Sequence, residues 1–419
     1  MNKKIGNIFK GDKVIWMVFF FLCIISIIEV FSASSNLTYK SQNYMGPIIY
    51  HTATIIAGVL VAVVTLNIPC RYFKLLTPFL LIVTAFTLLW VLVAGESING
   101  ANRVIKIMGI TFQPSEIAKG TMVLVTAQIL SAMQRENGAD RKAFKYIVIV
   151  MLPTVALIGI ENLSTAALLC VVIFLMMIVG RVPLYQLLRL SGFVAVVLAV
   201  FLAAVFMLGG FEGEHIQQAH MTETVTDDGE DVDKDAIHSG GIFHRFYTWR
   251  NRILKYLDGK EVPPEEFDLD KDMQVAHANI AIVSSNIIGK GPGNSVERDY
   301  LPQAFSDFIY AIIIEETGLL GATVVVFFYI VLLFRTARIA SRCENNFPAF
   351  LVMGLALLLV IQAVFNMTVA VGIVPVTGQP LPLISKGGSS TIINCAYIGV
   401  ILSVSRSAKL RTDLISKKA

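Results

Sequence analysis

Charge is scarce in this chain of 419 residues, where Asp, Glu, Lys and Arg together make up 15%. With 55% hydrophobic residues and a mean hydropathy of +0.69, one soluble core cannot hide the apolar surface, and a soluble fold is excluded. Cysteine is sparse too, at five. Cys23, Cys170 and Cys395 fall in apolar runs and Cys70 and Cys343 in loops of one side, so no disulfide framework is expected. The Gly-x4-Gly-Lys-Ser/Thr spacing of a nucleotide-binding loop is missing from the glycine-rich residues 289–295. Residues 223–235 are acidic but lack the far ligand of a calcium loop, which leaves a solvated, mobile segment. His215, His220, His238, His244 and His277 are too loosely spaced for a zinc site, and solvated or hydrogen-bonded roles are expected. A net charge of +4 gives no reason to invoke nucleic acid.

What the chain has instead is long apolar runs. Segments able to span a bilayer, about 20 residues each, start near Val14, Pro47, Phe73, Pro114, Phe144, Leu163, Gln186, Asp307, Pro348 and Ser389. This predicts an all-α, polytopic membrane protein with about ten transmembrane helices, residues 1–419 forming a single membrane domain. Orientation follows from basic residues in short loops. Lys3, Lys4, Lys10, Arg71, Lys74, Arg141, Lys142, Arg335, Arg338 and Lys417 share one side, which puts both termini in the cytoplasm and the large loop 210–306 outside. The first run follows a basic start and precedes Ser32-Ala33-Ser34, but its length fits a retained anchor rather than a signal peptide.

Four constellations stand out from this apolar background. Arg245, Trp249 and Arg252 have i, i+4, i+7 spacing and suit a helix lying among headgroups, either to recognise a lipid-linked phosphate or simply to anchor. Residues 99–103 (Asn-Gly-Ala-Asn-Arg) precede 112–119 (Phe-Gln-Pro-Ser-Glu-Ile-Ala-Lys), where Pro114 suits a first helical turn and Glu116 and Lys119 are i, i+3 neighbours. That pair could merely neutralise itself, or Lys119 could reach Asp307 at similar depth. Residues 289–295 form a glycine-rich turn that either lets backbone approach a sugar or phosphate or is a plain tight turn. Asn366 is followed by a Pro- and Gly-rich loop, residues 375–390, carrying Lys386 and Ser389; such irregular backbone survives at membrane depth only against protein or a water-filled cavity. Between the last two lies Asp307, where a polar loop enters an apolar helix that also carries Glu315 and Glu316. Acids held at a membrane are functional candidates by default.

In this order, these segments resemble the SEDS (shape, elongation, division and sporulation) family of bacterial envelope proteins, most closely its division-type FtsW branch. The resemblance rests on the residues 99–103 and 112–119 pair, Tyr300-Leu301-Pro302-x-Ala304-x-x-Asp307-Phe308-Ile309, the Glu315-Glu316-x-Gly318 that follows, and Pro375-Val376-Thr377-Gly378 through Gly387-Gly388-Ser389-Ser390. It covers nearly the whole chain. Departures fall at Asn162 and Ser164, where the family commonly has Asp and Gly, at Phe305-Ser306, where it often has His-Thr, and at Lys386, where it has Tyr. The resemblance implies an inverting peptidoglycan glycosyltransferase of cell division that polymerises lipid II into β-1,4 glycan at the outer face of the bacterial cytoplasmic membrane. With it, Asp307 is the expected catalytic base, and Arg103, Glu116, Lys119, Arg245, Arg252, Lys386 and Ser389 are the candidate substrate-binding residues. Arg245 and Arg252 are candidates by their spacing and Lys386 by its charge, since family roles do not carry over to altered positions. No protein-bound metal site is expected, and a divalent cation (Mg or Mn) is the candidate cofactor. The resemblance also implies a class B penicillin-binding protein and other divisome proteins as partners. A lipid II flippase, an elongation-type polymerase and a non-catalytic scaffold are the competing readings.

Overall fold

A computed structural model of the chain describes residues 10–33, 46–98, 101–107, 110–197, 199–200, 202–204, 273–301 and 304–416. Residues 223–235, Arg245, Arg252 and all the histidines of the large loop except His277 lie outside the described residues. The chain divides into two compact units, residues 184–267 and the remainder. In the smaller unit the described part is one apolar helix, α7 (Leu184–Ala204).

In the larger unit the helices are α1 (Lys13–Ala33), α2 (Gly46–Asn67), α3 (Cys70–Ala94), α4 (Pro114–Ala132), α5 (Arg141–Glu161), α6 (Leu163–Val179), α8 (Met273–Val283), α9 (Ile309–Ala340), α10 (Asn346–Ala370) and α11 (Ser389–Ser416). Apolar runs become helices here because hydrocarbon offers backbone N–H and C=O groups no partner outside the segment. Among the described residues, and counting α7, eight helices are long and apolar enough to cross a membrane. α4 and α6 are the other two runs read from the sequence, and both are packed within the protein. The protein is a multi-pass membrane protein. α10 is the central element: it packs on α4, α6 and α9, and 72% of its most apolar stretch is buried, against 22% for α3.

Helix ends carry local chemistry. Asp140 accepts the Lys142 N–H at 2.9 Å and caps α5, and Asn162 accepts the Thr165 N–H at 3.2 Å and caps α6. The Asn that departs from the family pattern is therefore a helix cap. α9 starts at Ile309, two residues later than its apolar run, because residues 304–307 form turns that lead into Phe308. A small antiparallel sheet was not anticipated. β1 (Glu96–Ile98), β2 (Ala101–Ile107) and β3 (Ile110–Phe112) lie between α3 and α4 in the chain, with Ile98 paired to Ala101. Asn-Gly between two short runs is a hairpin signal, and it was available in the sequence.

α9 is interrupted at Gly318, whose φ of 72° no helix tolerates. The interruption releases the Glu315 and Glu316 carbonyls and the Leu319 and Leu320 amides from helical bonding. The preceding loop takes all four. Lys290 N donates to Glu315 O (2.9 Å), Gly291 N to Glu316 O (2.7 Å), Leu319 N to Asn286 O (3.4 Å) and Leu320 N to Ile287 O (3.2 Å). The backbones cross so closely that a Cβ on Gly289 would sit 2.4 Å from Glu316 O, and one on Gly318 2.3 Å from Ile287 O. Only glycine fits at either crossing point.

Candidate functional site

The loop crossing explains both acids of α9. Glu315 and Glu316 are fully buried. The Glu315 carboxylate takes the Lys290 ammonium (2.6 Å), the Val296 N–H (3.1 Å), the Glu297 N–H (3.4 Å) and the Ser295 hydroxyl. Glu316 accepts from Gly293 N (2.9 Å), Ser295 N (3.4 Å) and the Ser32 hydroxyl, while Arg298 donates to Ser32 Oγ (2.7 Å) and Gly293 O (2.8 Å). All four carboxylate oxygens are engaged. The amides of Lys290, Gly291, Gly293, Asn294 and Ser295 are thus already satisfied by protein, which favours a structural turn over a phosphate cradle. His277 is held in the same region, 2.5 Å from Glu297 and stacked on Tyr300.

Asp307 follows directly. Ala304, Phe308, Ala311 and Ile312 are buried with Leu301 against Ala278 and Ala281 of α8. Burying a side chain such as Phe308 stabilises by about 1.5–3 kcal/mol, and this anchoring fixes the turn while leaving Asp307 half-buried. Its backbone carbonyl accepts from Asn366 Nδ2 of α10 at 2.8 Å, and its Oδ1 accepts the Ser306 hydroxyl at 2.9 Å.

One turn away on α10, Gln362 accepts from Lys119 Nζ at 2.7 Å; the same ammonium lies 2.8 Å from Glu116. Lys119 is wholly buried and is committed to these two acceptors, so it does not contact Asp307. The two groups are linked instead through α10, whose Gln362 also donates to Pro380 O (3.1 Å) and whose Asn366 also donates to Gln379 O (2.7 Å). Gln379 in turn donates to Thr165 Oγ1 at 2.7 Å. Three oxygens of this network, Glu116 Oε2, Asn366 Oδ1 and Gln379 Oε1, and Thr377 Oγ1 two residues before Gln379, are buried and take no hydrogen bond from the described residues.

The loop 375–390 closes the site. Lys386 N donates to Phe305 O (3.0 Å), Lys386 Nζ lies 4.8 Å from the centre of the Phe305 ring, and Ser385 Oγ donates to Ser306 O (2.6 Å). Burial pushes the pKa of the Lys386 ammonium down. Ser389, at the start of α11, accepts weakly from Gln113 N at 3.4 Å. The structure therefore brings together Asp307, Lys386 and, through α10, Glu116 and Lys119. Arg103 lies in β2, where only its backbone is described. Gln362, Ser26, His51 and Ser385 also belong to this network and were not picked out from the sequence; the first three are polar side chains inside apolar runs, which was the available signal. Among the described residues no three His, Cys, Asp or Glu side chains converge as a metal cage.

A cavity of about 840 Å³ runs beside the loop crossing, lined largely by apolar side chains including Ile282, Ile287, Ile288, Ile314 and Val326, and it reaches Tyr310, one turn past Asp307.

Residues 12–410 match the FtsW/RodA/SpoVE family, described as cell cycle proteins. The peptidoglycan glycosyltransferase MrdB of Escherichia coli K12 is 26% identical over 402 residues, covering 95% of this chain and 94% of that protein. The probable peptidoglycan glycosyltransferase FtsW of Trichlorobacter lovleyi is 28% identical over 405 residues, with the same coverage of both. Among solved structures, a peptidoglycan synthase complex that coordinates polymerization and crosslinking contains a chain of TM-score 0.69 and 23% identity, matched over 95% of this chain and 98% of that one. The Thermus thermophilus rod shape determining protein RodA matches with TM-score 0.62 at 20% identity, over 95% and 97% of the two chains. With the match spanning nearly its full length and the fold agreeing, this chain belongs to the FtsW/RodA/SpoVE family.

Proposed function

We propose that the chain is a peptidoglycan glycosyltransferase that joins lipid II units into β-1,4 glycan during cell division, with Asp307 as general base. The observation that carries this reading is the half-buried Asp307, whose carboxylate accepts the Ser306 hydroxyl, whose backbone carbonyl is held by Asn366, and whose turn is gripped by the Lys386 amide. Asp307 takes the proton from the acceptor GlcNAc 4-hydroxyl as that oxygen attacks the donor's anomeric carbon. The bond to the pyrophosphate breaks, undecaprenyl pyrophosphate leaves, and a single displacement inverts the anomeric centre. Lys386 is proposed to stabilise the charge of the leaving group; Ser389, Arg103, Arg245 and Arg252 are proposed to grip the substrate, and the Glu116–Lys119 pair to shape the site's field. A divalent cation would arrive with the pyrophosphate, which is how magnesium commonly binds. The donor's hydrocarbon is proposed to lie along the cavity beside Tyr310.

Orientation is part of the same reading. In the bacterial cytoplasmic membrane, both termini would be cytoplasmic and the large loop 210–306 would face out, within a single membrane domain spanning residues 1–419. Cysteines placed at 409 and 228 and probed with an impermeant reagent test this: labelling only at 228 is expected, and labelling at 409 from outside overturns it. Partners of the class B penicillin-binding type, with a crosslinking transpeptidase, and other divisome proteins complete the proposal. Relatives bearing division-type and rod-shape names match almost equally well, so the division role rests on the sequence segments described first.

The decisive experiment is lipid II polymerisation by the purified protein with and without its partner. Polymer from the parent and none from Asp307→Asn supports the reading. A flippase would move lipid II and make no polymer under either condition.

A further inference from the structure

Two polar side chains inside α1 and α2 have no part in the reaction proposed above. Ser26 on α1 and His51 on α2 are buried, with Ser26 Oγ and His51 Nε2 2.8 Å apart, and the same hydroxyl donates to Ile384 O at 2.6 Å. A serine hydroxyl has one proton, and a carbonyl can only accept. The proton therefore goes to Ile384, Ser26 Oγ accepts from His51, and His51 carries hydrogen on Nε2. That donor persists whether the imidazole is neutral or charged, so the arrangement is a brace rather than a pH switch.

The segment it braces needs holding. Leu383, the residue before Ile384, has φ of 67°, a left-handed conformation that costs a branched side chain free energy and persists only where surroundings over-determine it. Pins lie on both sides of it: Tyr329 donates its hydroxyl to Pro382 O, and Ser26 donates to Ile384 O. The next residues grip the Asp307 turn. Ser385 Oγ, fixed by accepting the Leu381 N–H at 2.7 Å, donates to Ser306 O, and Lys386 N donates to Phe305 O. An unbroken path thus runs from His51 through Ser26, Ile384 and Ser385 to Ser306 and the Asp307 carboxylate. Leucine or isoleucine at 26 and 51 would satisfy the helices at lower insertion cost, so the polar pair is best explained by what it holds.

We infer that His51 and Ser26 are positioning residues for the glycosyl transfer: they keep the Leu381–Lys386 segment in its strained form and so hold Ser306, Asp307 and Lys386 in register. The inference rests on the proposed role of Asp307. Steady-state polymerisation of lipid II by the full-length protein with its partner, for Ser26→Ala, His51→Leu, His51→Gln and Asp307→Asn, tests it. Misplacement of reacting groups by about 1 Å can reduce rate about 100-fold. Ser26→Ala and His51→Leu are expected to lower kcat by about 10-fold or more, with KM within about twofold and thermal midpoints close to parental. His51→Gln, whose amide nitrogen reaches the same position and donates, is expected to recover most of kcat. Parental kcat in Ser26→Ala and His51→Leu overturns the inference, as does a loss that follows the folded fraction or one that Gln repairs no better than Leu. Failure of Asp307→Asn to reduce polymer would sink the base assignment separately, whatever the His51 variants do.

Discussion

Two buried polar regions of α9 and its neighbours use similar residues to opposite ends. In the loop crossing, every oxygen of Glu315 and Glu316 is engaged by a lysine, a serine or a backbone amide of residues 290–297, or by Ser32. Around Asn366 and Gln379, by contrast, Lys119 has two acceptors, yet four buried oxygens take no hydrogen bond from the described residues. Saturation of the acceptors separates the two acids of the crossing from the oxygens around Asn366 and Gln379. A carboxylate whose bonds are all internal holds the chain together, and acceptors that the protein does not satisfy can address hydroxyls brought by a substrate.

Exchanging the two regions' behaviour would break that comparison. The largest effect is expected from Asp307→Asn, which keeps size and removes the base: polymerisation should fall about 10²- to 10⁴-fold, while the thermal midpoint stays near parental. A large loss of stability with it would move Asp307 to the scaffold side. Glu315→Ala should do the reverse, because it strands the Ser295 hydroxyl and two amides and unpairs the partly exposed Lys290. Leaving a buried donor unsatisfied costs about 1–3 kcal/mol, seen as lower yield and midpoint, with activity per folded molecule retained.

A subtler test separates charge from fold at α4. Lys119→Met leaves the Glu116 carboxylate buried without its ammonium and should lower both stability and activity. The double variant Glu116→Gln, Lys119→Met should recover the midpoint, since no lone charge remains, but not polymerisation. Full recovery of both would make the pair a structural neutralisation only. The smallest effect belongs to Asp140, far from either region. The Lys142 N–H, and then Arg135, hold its carboxyl below the usual range. A depressed folded pKa contributes stability above the unfolded value and loses it as pH falls. Asp140→Ala should therefore lower the midpoint slightly at neutral pH, flatten its fall below about pH 4, and leave polymerisation unchanged.

Much of this was legible in the chain. Ten apolar runs became ten helices because membrane-spanning backbone has few alternatives to internal hydrogen bonding. The i, i+3 spacing of Glu116 and Lys119 put them in contact, since helical periodicity is a local property. The order of the motifs identified the family. Other features depended on contacts between segments distant in sequence. Nothing local distinguishes Lys119 reaching Asp307 from Lys119 reaching Gln362, 243 positions along the chain. Glu315 and Glu316 read as buried acids, but their partners follow from a helix break at Gly318 and a loop crossing at Gly289, where backbone sterics act across about thirty residues. His51 and Ser26 were visible as polar exceptions in apolar helices. Their purpose emerges only when α1, α2 and the 381–386 segment are packed together, because a hydrogen bond is a short-range contact and its partner is chosen by the fold.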